Sequence, residues 1–157
     1  RCVVLATDGV PQFVRIIPSG GDDLTTALTT GLGMTVPDAE RTKATMGLVR
    51  EAYPPELMAA CETIIRVTDD LLGSLRNTVT FYRNTRPNDP IQGVVLSGGG
   101  SRLRGFPAAL EEVTRLQVAL GDPTDRFAVT KAIDVHTLPT VLPSMGVALG
   151  LTLRSAS

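Results

Sequence analysis

The amino-acid sequence predicts an α/β fold: a mixed β-sheet with flanking helices, one of them long. Three observations carry that expectation. Two apolar runs, Cys2-Val3-Val4-Leu5-Ala6 and Phe13-Val14-Arg15-Ile16-Ile17, flank the turn dipeptide Asp8-Gly9. Leu57, Cys61, Ile64, Thr68, Leu71, Leu75, Val79 and Tyr82 then recur at every third or fourth position, the repeat of one helix face. Finally, Val94-Val95-Leu96 runs into Ser97 and the glycines Gly98, Gly99 and Gly100, ahead of a helix-compatible segment from Phe106 to about Leu116.

Taken in order, the first two runs form a hairpin, because a two-residue turn of the primed type needs positive φ, which Asp-Gly supplies. Pro11 lacks an N–H and belongs near the turn or on an edge. Asp22 is placed to cap a helix whose Leu24, Ala27, Leu28 and Leu32 share a face, and Gly33 ends it. Thr35 caps the next helix, over about 36–46, with Pro37 in its first turn. On that helix Glu40 and Lys43 are three apart and share a face, which by pattern alone is a surface ion pair. A linker through Pro54 leads to the long helix, about 55–84, which would span roughly 45 Å. Met58, Ile65 and Leu72 widen its apolar stripe. After the glycine segment come a helix, a short strand at 117–120 and a last helix over 142–151, with His136 in a loop between. The later strands are expected to pair in parallel through the helix at 106–116.

Composition narrows the function. The chain has 157 residues, 43% of them hydrophobic, enough for a core built from Leu, Val, Ile and Ala since Trp is absent. A net charge of −1 argues against a nucleic-acid surface. No apolar run reaches the roughly 18–20 residues that cross a bilayer, so direct membrane insertion is not expected. No signal peptide opens the sequence. Cys2 and Cys61 lack metal or redox spacing and read as reduced, packed thiols of a cytosolic protein. The sequence starts at Arg1 and enters a strand at once, as a segment of a longer protein would.

Glycines at the end of a strand let backbone approach a ligand closely, and their N–H groups can hold phosphate or ribose oxygens. A sharp turn off a buried strand explains them equally well. The phosphate loop ending in Gly-Lys is absent, because Phe106 follows Gly105. A dinucleotide fingerprint would use Gly98, Gly100 and Asp122, but Leu103 stands where its last glycine should be.

Residues 95–106 resemble the adenosine motif of the actin-like ATPase superfamily, most closely the branch holding the type IV pilus assembly protein PilM and the cell-division protein FtsA. Gly20-Gly21-Asp22-Asp23-Leu24-Thr25 and the stretch Ala39-Glu40-Arg41-Thr42-Lys43, similar to the family's AE-x-x-K element, extend the likeness. The short stretch between Lys43 and the long helix favours PilM over FtsA. The resemblance implies the second lobe of an actin-like (ribonuclease H-like) fold. Residues 1–35 would be its sheet hairpin and first helix, 36–55 a shortened inserted subdomain, and 56–157 the long helix, the adenosine motif and the C-terminal helix. It implies ATP with Mg as the ligand of the full-length protein, held by Gly98, Gly99, Gly100, Ser101, Glu40 and Lys43, the last two facing ribose and adenine. It further implies a scaffold in pilus assembly, cytoplasmic and peripheral at the inner membrane. A PilN-like membrane protein would dock on a first lobe outside this sequence, and self-association is a further expectation. No residue is a credible water-activating base, so no catalytic residue and no metal ligand is assigned. The full-length protein resembles an ATPase, and the segment alone is expected to be inactive. Two alternatives stand beside this reading: an interaction module with the same fold that does not use nucleotide, and, less favoured, a dinucleotide-binding enzyme.

Overall fold

The computed structural model describes residues 2–8, 10–48 and 53–121. Gly9 of the hairpin turn, Glu51 and Ala52 of the linker, Asp122, His136 and the helix expected over 142–151 lie outside the described residues.

Strands β1 (Cys2–Thr7) and β2 (Val10–Ile16) pair antiparallel, with Thr7 opposite Val10 and Asp8 at φ 51° in the turn. The positive φ is what the Asp-Gly dipeptide predicts. The register shifts between Leu5 and Ala6, so that Gln12 is an extra residue beside Pro11. A bulge there accommodates a proline that cannot donate to the ladder.

Helix α1 spans Gly21–Leu32 and stops at Gly33, whose φ of 66° suits a left-handed C-cap. Its N-cap is Gly20 rather than the expected Asp22. The carboxylate of Asp23 reaches back to accept the Gly20 N–H at 2.5 Å, and this shifts the helix start towards the N-terminus. Helix α2 covers Val36–Met46 with Thr35 as N-cap, as expected. The Asp38 N–H donates to the Thr35 hydroxyl oxygen at 3.3 Å.

Helix α3 spans Pro55–Thr85. Cys61, Ile64, Thr68, Leu71 and Tyr82 of the expected stripe are buried, together with Ala60, Leu72 and Thr78, whereas Met58 is exposed. The stripe therefore lies closer to Leu72 than to Met58. Cys2, read from the sequence as packed, is exposed at the start of β1.

Strand β3 (Val94–Leu96), a short 3-10 turn at Gly99–Arg102, helix α4 (Phe106–Thr114) and strand β4 (Val118–Leu120) follow in the expected order. Strands β3 and β4 pair in parallel, Val94 opposite Val118. Among the described residues the strands form two separate two-stranded ladders, β1–β2 and β3–β4, instead of one continuous sheet. Parallel and antiparallel pairing are both present, as expected. The ladders still share a layer: Val3, Val94, Leu96 and Val118 all pack on the cluster of Ile17, Leu71, Leu72, Phe106 and Leu110. Side-chain alternation reveals which face of a strand is buried. It does not reveal which edges pair.

A second cluster, Leu24, Leu28, Ala39, Met46, Ala60, Cys61 and Ile64, joins α1, α2 and α3. Leu48 and Leu103 pack against both clusters.

Candidate functional site

A cleft of about 890 Å³ opens where three helices meet the glycine turn. The N-terminal end of α1 contributes Ser19, Gly20, Gly21, Asp22 and Leu24, and α2 contributes Glu40, Lys43 and Ala44. Val67, Thr68 and Leu71 of α3 form an apolar flank, and the turn after β3 supplies Gly99, Gly100, Arg102 and Leu103, with Phe106 beyond it. The volume is within the range of clefts that hold nucleotide-sized ligands.

The turn is built to be tight. Gly98 has φ 90° and ψ 169°, a conformation that essentially only glycine adopts. The Ser101 hydroxyl donates to the Gly98 carbonyl at 2.7 Å, and the Ser101 N–H donates to the same oxygen at 3.1 Å. Ser101 is buried. Of the residues expected at the site, Gly99, Gly100, Glu40 and Lys43 line the cleft together. Gly98 and Ser101 shape the turn that presents the first two.

The turn and α2 are joined directly. The Leu48 N–H donates to the Arg104 carbonyl at 2.7 Å, and the Arg104 guanidinium donates to the Thr45 carbonyl at 2.7 Å. Gly47, at φ 59°, lies so close that a Cβ there would sit 2.5 Å from the Arg104 carbonyl oxygen. The two sides of the cleft that carry Glu40 and Gly99 are thus fastened to each other.

Glu40 and Lys43 form an ion pair of 2.7 Å. The Lys43 side chain is largely covered, whereas the Glu40 side chain is 53% exposed. Hydrogen bonds from Lys43 and then from Thr25 hold the Glu40 carboxyl below the usual glutamate range. Glu40 therefore presents an ionised, acceptor-only group, suited to hydroxyl or amine donors. Asp22 and Asp23 make the first turn of α1 acidic, so this end of the cleft disfavours phosphate. An anion is better placed at the glycine turn, on the side of Gly99, Gly100 and Arg102.

Sequence reasoning missed the α3 flank and Arg102. Val67 carried no signal because it falls between the stripe positions, and Thr68 and Leu71 were absorbed into the core stripe. Gly20 and Gly21 enter the sequence reading only through the family likeness, and the structure adds that they line the cleft. Among the described residues no cluster of three or more His, Cys, Asp or Glu could hold a metal. No helix of the described residues is long and apolar enough to cross a membrane.

The sequence pattern of the family described as type IV pilus assembly protein PilM matches residues 3–156. Among solved structures, a chain of a PilM-PilN type IV pilus biogenesis complex is 27% identical and superposes with a TM-score of 0.81, covering 99% of this chain and 43% of that one. The ethanolamine utilization protein EutJ from Carboxydothermus hydrogenoformans is 16% identical, with a TM-score of 0.57 over 94% of this chain and 44% of its own, a likeness of fold alone. No curated protein sequence matches. The chain thus spans less than half the length of these solved chains. The α/β actin-like lobe expected from the sequence is the fold shared with them. The match over nearly the whole chain decides between the two branches weighed from the sequence: the chain belongs to the PilM family of type IV pilus assembly proteins.

Proposed function

We propose that this chain is the nucleotide-binding lobe of a PilM-like scaffold that binds ATP with Mg during type IV pilus assembly. The observation that carries the reading is convergence. Gly99 and Gly100, Glu40 and Lys43, and Gly20 and Gly21 are far apart in sequence, yet they line one cleft. The residues fit a nucleotide. Val67, Leu71, Leu103 and Phe106 offer apolar surface to a base, Glu40 offers an acceptor to ribose hydroxyls, and the glycine turn offers backbone N–H groups to phosphate. Mg would neutralise phosphate charge, and the phosphates themselves would carry most of its coordination. The work of this chain is binding and orientation, and no side chain of the cleft is assigned to activate water.

The likeness to a chain of a PilM-PilN complex supports a PilN-like partner. In this reading the partner would dock on a part of the protein outside this chain and hold it at the cytoplasmic face of the inner membrane. Residues 36–55 would be a shortened insertion within the lobe.

Calorimetric titration of the full-length protein with Mg-ATP tests the reading. The wild type should bind, and Gly99→Val should weaken binding at least roughly tenfold while the circular dichroism spectrum stays unchanged. Gly99 lacks the positive φ of Gly98, so the effect is one of volume at the cleft wall and not of backbone strain. Gly33→Ala, in the C-cap of α1, should lower stability and leave affinity alone. Wild-type protein that binds no ATP in the presence of Mg sinks the proposal.

A second reading, an interaction module that does not use nucleotide, is favoured by the acidic first turn of α1 and by the engagement of Lys43 in protein contacts. Gly99→Val that retains pilus partners in a pull-down while the wild type binds no ATP would select it.

A further inference from the structure

We infer that Thr25 is a positioning residue of the cleft, which together with Lys43 aims the Glu40 carboxylate at the vicinal hydroxyls of a ribose. The inference rests on the nucleotide reading and deepens it. Thr25 lies on α1, whereas Glu40 and Lys43 lie on α2. The Lys43 ammonium donates to the Gly21 carbonyl at 3.0 Å, to the Thr25 hydroxyl at 2.7 Å and to Glu40 Oε1 at 2.7 Å. An ammonium has three N–H donors and no acceptor, so its capacity is filled by the protein itself. The Thr25 hydroxyl has one proton to give. Its contact with Glu40 Oε1, at 2.5 Å, is closer than its 3.0 Å contact with the Gly21 carbonyl. Lysine to threonine, threonine to glutamate and lysine to glutamate close a ring.

The ring divides the labour within the site. Glu40 Oε1 receives both of its bonds from inside the ring, and Oε2 takes none from the described residues. A carboxylate fixed at one oxygen, ionised and open at the other, selects a ligand that brings hydroxyl donors. Lys43 acts through Glu40. The family resemblance implies that Lys43 faces the ligand directly, whereas its three donors are engaged by Gly21, Thr25 and Glu40. Thr25 closes the ring; the sequence marks it only as the end of the Gly20–Thr25 stretch, and its link to Glu40 and Lys43 comes from the neighbouring helix.

The test compares Mg-ATP with Mg-2′,3′-dideoxy-ATP, titrated into the full-length protein. Thr25→Val keeps the shape and removes the hydroxyl, and it should weaken ATP about tenfold, the scale of a lost hydrogen bond to a charged group. It should leave dideoxy-ATP unchanged, since that ligand has no sugar hydroxyls for Glu40 to hold. Thr25→Ser should restore ATP affinity to within about twofold, because the hydroxyl is back. Thr25→Ala, which also removes the hydroxyl, should repeat the pattern, a loss on ATP alone, and it carries the test if Thr25→Val does not fold. Equal losses on both nucleotides, or none on either, overturn the inference while leaving nucleotide binding intact. A wild type that binds neither nucleotide overturns the underlying reading, and the inference with it.

Discussion

Glu40 illustrates how much one side chain on this surface depends on its neighbours. Its pKa is lowered first by the hydrogen bond from Lys43 and then by that from Thr25. A depressed carboxylate stabilises the fold fully above the ordinary glutamate value, about 4.3, and that contribution is lost as pH falls through the lower, folded-state value. Glu40→Gln should therefore be less stable than wild type at pH 7, and the gap between them should close as pH drops below about 4. Urea midpoints measured for both proteins across that range check this, and a gap as wide at pH 3 as at pH 7 would contradict it. The effect is small because Glu40 is half exposed and solvent screens the pair. Gly98 and Gly47 make a complementary point. Both adopt backbone angles that side chains resist, and both stand where the chain must bend tightly, one entering the cleft turn and one leaving α2.

At the level of elements, α3 organises the packing. Ile64 is fully buried in the cluster that joins α3 to α1 and α2, with Leu24, Leu28 and Ala60. Ile64→Ala should cost about 2–5 kcal/mol in urea unfolding with an unchanged m-value, while Ile64→Val should cost about 1 kcal/mol. A loss under about 1 kcal/mol for the alanine variant would mean that α3 does not carry the core. The described helices were legible because their periodicity and most of their caps are local: Thr35, Gly33 and the stripe from Cys61 to Tyr82 all lie where the pattern put them. The glycine turn was legible for the same reason. Two other features were not. The split into two ladders depends on edge pairing, to which side-chain alternation is blind. The ring of Thr25, Glu40 and Lys43 depends on α1 lying against α2, a relation that no single window of sequence contains. The shift of the α1 cap from Asp22 to Gly20 falls between these cases, since Asp23 was visible but its backward reach was not.

Across the whole molecule the two core clusters meet at Leu48 and Leu103, beside the bond from Leu48 to the Arg104 carbonyl. The junction of the hydrophobic clusters is thus also the place where the cleft's two sides are fastened, so the shape of the cleft and the packing of the core draw on the same contacts. The thiols offer a way to watch that union. Cys2 is exposed on β1, while Cys61 is buried on α3 in the cluster beside the cleft. A maleimide should therefore count one sulfur quickly in the native chain and the second only as α3 opens. The delay between the two counts is a clock for the interior, read without any added chromophore in a chain that has no tryptophan. If ATP occupies the cleft, that clock should run slower in its presence.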